Sequence, residues 1–292
     1  MVKLSAFNDT VTSVPGSDVT LLAPTNHEEA DTRVFLHTND MSQKGFASVM
    51  IRTVDTDVLN LALSFCKKLQ LEKLWVDFGT GKQRCFLPVH EMVLNPAKVD
   101  GLPFFMAVTG CDQVEFFCHV SKTTAWKVWT LFPEADAVFA KLSDRPSLTD
   151  IEEAMPVLER FVVLLYHRTS NCTEVNSCRR ELFCKGRAID NIPPTQGALL
   201  QHVKRAAYIG GYVWSSSLLP IMDLPPIEEF GWNDDATPYW SDLPQASKGL
   251  RELIKCNCLK GCTGNCKCKR ATLPCTELCK CKGGCEWNQQ IE

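Results

Sequence analysis

Apolar positions along the first part of the chain recur at two different periods. "SVMIRT", "KLWVDFGT" and "QRCFLPV" are short apolar runs of strand length, with "SDVTLLAP" as a shorter strand candidate near the N-terminus. Between them, "VDTDVLNLALSFCKKL" places Val58, Leu61, Ala62 and Phe65 at helical spacing. "HEEADTRVFLHTND" reads as a helix entered through an acidic first turn, and "KTTAWKVWTLF" as another, with Trp126 and Trp129 three apart as core residues. Strand and helix in alternation predict an α/β domain with a mainly parallel sheet over residues 24 to 132.

Helical spacing then continues without strands. "DRPSLTDIEEAMPVLERFVVLLYHRTS" predicts a helix opened by Thr149 with Glu152 three residues later, kinked or broken at Pro156. "EVNSCRRELFCKG" and "PTQGALLQHVKRAAYIGGYVW" predict two more, and "LPPIEEFGWNDDATPYW" an ordered linker, so residues 133 to 246 form a helical extension. Residues 1 to 23 are expected to be irregular. Residues 247 to 292 form a last unit, and across its cysteine stretch, from 256 to 288, the pattern stops: Leu259, Leu273, Leu278 and Trp287 are too few to build a core.

What replaces them is sulfur. Nine cysteines follow the spacing C-x-C-x3-C-x3-C-x-C-x6-C-x3-C-x-C-x3-C, at Cys256, Cys258, Cys262, Cys266, Cys268, Cys275, Cys279, Cys281 and Cys285. Nothing resembles a signal peptide, and "FVVLLY" is too short to span a bilayer, so a reducing intracellular compartment is expected and no membrane association. There a dense cysteine cluster points to metal, whereas Cys66, Cys85 and Cys118 are expected to be small buried hydrophobes. Nine is odd for disulfides and exceeds two four-ligand zinc sites by one. Three zincs need twelve ligand positions, which nine thiolates supply if six bind one metal and three bridge two.

Charge separates the same regions. The chain carries 31 Lys+Arg and 34 Asp+Glu. From Lys255 onward, Lys255, Lys260, Lys267, Lys269, Arg270, Lys280 and Lys282 stand against Glu277, Glu286 and Glu292, a balance of +4 on a body of -7. Polyanion contact is therefore expected at the tail, through Lys267, Lys269 and Arg270.

In the body, five acids fall at element ends: Glu29 and Asp31 at the start of a helix, Asp55 and Asp57 after a strand, and Asp112 after an apolar stretch. Converging carboxylates are what Mg²⁺ or Mn²⁺ requires for phosphodiester hydrolysis. Each also has an ordinary reading, as N-cap, dipole-favoured first-turn residue or turn former. His27 beside Glu28 and Glu29 is the best placed histidine for a metal role. His90, His119, His167 and His202 read as surface or half-buried, and Cys172, Cys178 and Cys184 do not share a helix face. No Ser-His-Asp order, phosphate loop or dinucleotide glycine pattern occurs, so no small-molecule cofactor is expected.

The tail, with its paired C-x-C steps, "LPC" at 273 to 275 and Asn288 after the last cysteine, resembles the tesmin-type CXC domain, a nuclear DNA-binding module. It departs in the short gaps around Cys262 and in Asn265, where DNA-binding members tend to carry an aromatic. "HEEADTR", "RTVDTDVLNLAL" and "FFMAVTGCDQ…KTTAW" are similar to the flap-endonuclease branch of the PIN-like nucleases, which implies that Glu29, Asp31, Asp55, Asp57 and Asp112 are divalent-metal acids. Residues 24 to 292 together resemble transposon-derived animal proteins that join such a domain to a helical segment and a CXC-like tail. Two features depart from an intact nuclease. No convincing aspartate-bearing first strand precedes residue 24, since Asp9 and Asp18 lie in turn-like sequence, and "FFCHVSK" lacks the glycine that lets backbone amides approach phosphate. The resemblance implies a nuclear, zinc-dependent DNA-binding protein with an incomplete nuclease site. The alternatives are an active structure-specific endonuclease and an interaction scaffold with structural zinc.

Overall fold

The computed structural model describes residues 3–7, 10–14, 16, 18–92, 95–241, 249, 253–259, 261–285 and 287–288. Asp9 and the expected boundary at 246/247 lie outside the described residues. Near the N-terminus, β1 (Lys3–Phe7) and β2 (Thr10–Val14) form an antiparallel hairpin where irregular chain is expected. "SDVTLLAP" is a turn instead of a strand. Asp18 Oδ1 accepts from the Thr20 amide at 3.0 Å, and the Val19 carbonyl accepts from Leu22 and Ala23, so the chain curls before it can extend.

The α/β layer contains α1 (Ala30–Gln43), β3 (Ser48–Thr53), α2 (Thr56–Phe65), β4 (Lys73–Phe78) and β5 (Cys85–Pro88). β3 and β4 pair in parallel, joined by α2, but β5 returns antiparallel to β4, giving a mixed three-stranded sheet in the order β3-β4-β5. The expectation of a mainly parallel sheet fails at this connection. Residues 79–84 are too few for a crossover, which takes a dozen or more. Asp77, buried at the end of β4, holds the turn by accepting from Arg84 at 2.7 Å and from Arg52 of β3 at 2.9 Å.

Helix α3 (Pro96–Val108) is one continuous element. Its first turns carry half-buried Lys98 and exposed Asp100, but from Gly101 onward it is buried on every side and lies at the centre of the body, with Leu102, Phe104, Phe105, Ala107 and Val108 in the core. Gly101 allows α5 (Ala135–Leu142) to cross it closely: a Cβ there would stand 2.8 Å from the Phe139 Cβ. The rings of Phe105 and Trp129, the latter on α4 (Lys122–Leu131), stack at 4.6 Å. Trp126 meets Trp129 edge-on and is half-buried.

Helix α6 (Leu148–Tyr166) begins two residues earlier than its sequence signal suggests. The capping box is Ser147 with Asp150, not Thr149 with Glu152, and the helix runs on through Pro156. Helix α7 (Val175–Cys184) ends before Gly186, and α8 (Gln196–Tyr208) starts at Thr195, whose hydroxyl accepts from Ala198. Buried Glu159 of α6 ties the three together by accepting from the Val175 amide at 2.9 Å and from Gln196 at 2.7 Å. One hydrophobic cluster runs from Phe35 to Leu253, so helices from both halves of the body share a core.

The scattered cysteines do not behave as expected. Cys85 and Cys118 are exposed and Cys66 is half-buried, whereas Cys178 is buried. The first two lie on an edge strand and in a loop, where no layer covers them.

Candidate metal centres

From Leu253, still in the body core, the chain crosses α7 with the Lys255 ammonium 4.8 Å from the Phe183 ring centroid. Residues 256–285 then wind around their own sulfurs. Seven of the nine cysteines are buried, and Cys258 and Cys281 are half-buried. The segment has one short helix, α9 (Lys267–Arg270), which turns Cys268 inward and leaves Lys267 and Arg270 exposed.

Three four-cysteine groups have all their sulfurs within 4.8 Å of one another: Cys256, Cys262, Cys266 and Cys275; Cys256, Cys268, Cys275 and Cys279; and Cys262, Cys275, Cys281 and Cys285. Among the described residues these are the groups of metal-ligand type that reach such closeness. A tetrahedron with zinc–sulfur bonds of about 2.3 Å has sulfurs about 3.8 Å apart. The Sγ atoms of Cys256, Cys262 and Cys275 form a triangle with sides of 3.9, 3.9 and 3.6 Å, and Cys268 lies 3.5 Å from Cys279. All-thiolate donors at this spacing are consistent with zinc, and the tail is a cysteine cluster that could hold metal.

Burial sets the free thiols of Cys256, Cys262 and Cys275 above the ordinary cysteine value. At Cys266 burial also opposes the thiolate, but the amides of Lys269 and Cys268 and the neighbouring thiols donate to it and bring its pKa down to about 6. Outer contacts fix the sulfurs further. Asn288 accepts from the Cys275 amide at 2.6 Å and donates to the carbonyls of Cys275 and Gly283 at 2.7 and 2.8 Å. Trp287 donates to the Leu273 carbonyl at 2.9 Å, and its ring lies under Lys269 with the ammonium 5.0 Å from the centroid. Lys269 is therefore less free than Lys267 and Arg270.

The acids of the body sit where four element ends meet. Asp55 is the N-cap of α2, its side chain accepting from the Asp57 amide at 2.8 Å, so its ordinary reading holds as well. Glu29 occupies the N-cap position of α1 without capping through its side chain, and Asp31 is in the first turn. Asp112 follows α3 after Gly110, whose φ of +110° takes the chain through a turn that a side chain would block against Phe116. The five are electrostatic neighbours. Burial raises the Asp31 pKa, and Asp55, Asp57 and Asp112 raise it further. Glu29 is raised by burial, then by Asp31, with Asp112 and Glu28 adding to it.

Two groups in this site escape the sequence reading. Gln113 donates to Glu29, and Lys122, the first residue of α4, stands 3.2 Å from Asp57 Oδ1 as an internal counter-ion. No local signal marks it, because Lys122 and Asp57 lie 65 residues apart and meet only in the folded chain.

His27 is a structural tether rather than a ligand. Its buried ring bonds Thr32 at 3.0 Å and the Leu219 carbonyl at 2.6 Å. His202, read as at most half-buried, is buried, with its ring against the Val108 carbonyl at 2.8 Å and beside Glu115. Hydrogen bonding to His202, against some burial, and the Arg205 guanidinium hold Glu115 at about 2. Comparison with family models, with curated proteins and with solved structures gives no match to this chain.

Proposed function

We propose that this chain is a zinc-dependent DNA-binding protein whose C-terminal module is organised by three zinc ions. The triangle of Cys256, Cys262 and Cys275 carries the reading. In a three-metal ring each metal holds two of three bridging sulfurs, so each pair of bridges forms one tetrahedral edge. The three cysteines shared between groups have that mutual spacing. Cys275 falls in all three groups but bridges only two metals, and Cys258 falls in none. Assigning Cys258 to the metal that also holds Cys256, Cys262 and Cys266 closes the ring with all nine thiolates, six of them terminal.

Nine thiolates and three zincs leave a charge of -3, which the surrounding basic side chains offset. Lys267 and Arg270 project from α9, and Lys280 and Lys282 are also exposed. These suit phosphate contacts, with Lys269 as a weaker third partner beside them. On the resemblance to CXC modules the working compartment is the nucleus. The test is anisotropy of a labelled duplex with the zinc-loaded full-length protein across salt concentrations. Three phosphate contacts give a slope of log K against log salt of about -2.7, and K267A/R270A reduces it by about 2. Absence of duplex affinity at low salt sinks the DNA reading and leaves zinc as a structural element.

A second reading rests on the electrostatic proximity of Glu29, Asp31, Asp55, Asp57 and Asp112, whose oxygens do not close to the spacing of the sulfur groups but which would suit Mg²⁺ or Mn²⁺ in a nuclease site of PIN-like type if an ion drew them together. Lys122 already neutralises part of that charge, which lowers the demand for a second ion. Mn²⁺-dependent cleavage of flap or single-stranded DNA tests it. Equal rates for the parent and D55A end it.

A further inference from the structure

A cleft of about 660 Å³ opens beside the N-terminus of α1, against α8 and the segment of residues 222–238. Its size lies in the range of small-ligand pockets, roughly 300–1,000 Å³. Tyr208, Val213, Met222 and Trp232 line the interior, and Glu28 and Glu29 stand on the wall contributed by α1 and the residues before it. None of its fourteen lining residues is a lysine or an arginine. An anion is therefore repelled, and of the two acids Glu29 already accepts from Gln113, which leaves Glu28 to meet a cation.

Tyr208 adds an independent observation. It is 8% exposed, with its ring packed at 5.6 Å on Phe230 and 5.3 Å on Trp232. Its hydroxyl makes no hydrogen bond with any described residue, and its oxygen is not among the sealed, unpartnered polar atoms, which are Asp40 Oδ1, His167 Nδ1 and Arg205 Nε. A phenol this buried, partnerless and not sealed in protein opens on the cleft it lines. Burial raises its pKa, and Glu28 and Glu228 raise it further; of the two, Glu28 lines the same cleft. The Trp232 wall is held in place beforehand: Trp232 bridges to Pro238, and Arg205 donates to the carbonyls of Gly231 and Tyr239 at 3.0 and 2.8 Å. Preorganisation of this kind reduces the ordering cost of binding.

We propose that this cleft binds a cation carried on an aliphatic stem, the ammonium or guanidinium of a lysine- or arginine-type group. The stem packs on Val213 and Met222, and the charge lies between Tyr208, Trp232 and Glu28. Aromatic faces with the exposed Glu28 carboxylate beside them favour a cation over its neutral isostere by about tenfold. The site is independent of the DNA reading, and Glu28 is not one of the five candidate metal acids.

The test is a methyl-¹³C-methionine NMR titration of the full-length protein, with the Met222 signal assigned by Met222→Leu. The probes are n-butylammonium with n-butanol as its neutral counterpart, and a hexapeptide with a central lysine or norleucine. The expected result is a saturable Met222 shift with the cations and about tenfold weaker binding of the neutral probes. Glu28→Gln is expected to weaken cation binding about fivefold, and Tyr208→Phe, which keeps the ring, about threefold. A response to butylammonium assigns a free organic cation, and a response to the lysine peptide alone assigns a basic protein segment; either supports the site. Neutral probes binding as tightly as cations, unchanged affinity in Glu28→Gln, or no Met222 shift with either cation overturns it.

Discussion

Around Trp129 the body is built from rings: Phe105 stacks at 4.6 Å, Phe139 lies at 4.9 Å, and Phe139 continues to Phe161 at 5.2 Å. Between 256 and 285 the buried positions are sulfurs, with Ile254 and Trp287 packed at the margin. The first region gains its stability by removing apolar surface from water, a distributed effect that no single contact dominates. The second encloses free thiols with few apolar neighbours, and the thiolates that a metal would need are unfavourable there until a metal neutralises them. A fold can therefore contain two cores that fail under different treatments.

Exhaustive chelation is the largest perturbation of that contrast. Structural zinc contributes on the order of 10–16 kcal/mol of apparent folding free energy in small peptides, so chelation is expected to unfold residues 256–288 while the body keeps its thermal transition. Hydrogen exchange read separately for the two regions checks this, and protection of the tail after metal loss breaks the comparison. Next comes Cys275→Ser, which removes a sulfur shared by all three groups. Native mass spectrometry is expected to show loss of more than one zinc, whereas Cys258→Ser costs at most one.

Trp129→Ala probes the opposite side. It empties the largest fully buried side chain and is expected to cost about 3–5 kcal/mol in the body with the zinc count unchanged. A change in zinc stoichiometry would mean that the two cores fold as one. Asn288→Ala cuts three hydrogen bonds around Cys275 and Gly283, and is expected to weaken zinc affinity by about 10- to 100-fold, measured by competition with a chromogenic chelator.

The smallest effect is at the acids. Asp31 and Glu29 have folded pKa values above their ordinary ones, so the native state holds protons that the unfolded chain releases. Their contribution is present at low pH and is lost as pH rises from the ordinary carboxylate value through the raised one. Asp31→Asn is expected to raise the thermal midpoint at neutral pH by about one to two degrees, less than full burial would give because the group is partly solvated. A lower midpoint would show that Asp31 is held by an attractive partner.

Helices α1, α2, α4, α7 and α8 and strands β3 to β5 are legible because each carries a periodic apolar face or a capping residue next to it. α5 and the length of α3 are not. From Gly101 to Val108 α3 is buried all round, so that stretch has no polar face to set a period, and its glycine and proline look like breaks when isolated. The hairpin return of β5 was readable in principle, since the length of residues 79–84 forbids a crossover. The start of α6 shows two adjacent capping signals competing, and Ser147 wins because its hydroxyl accepts from the Asp150 amide while the Asp150 carboxylate accepts from the Ser147 amide.

The sequence by itself determined that the tail is a cluster of candidate metal donors, because nine sulfurs at short spacing are close in any compact arrangement of thirty residues. It also placed five acids at element ends, because caps and turns are local. Which sulfurs are shared, that Lys122 answers Asp57, that His202 and Arg205 are buried beside Glu115, and that Tyr208 faces Glu28 across a cleft were decided only by the tertiary structure. Those pairs are separated by tens to nearly two hundred residues along the chain, and local periodicity carries no information about which distant side chains the packing of helices will bring together.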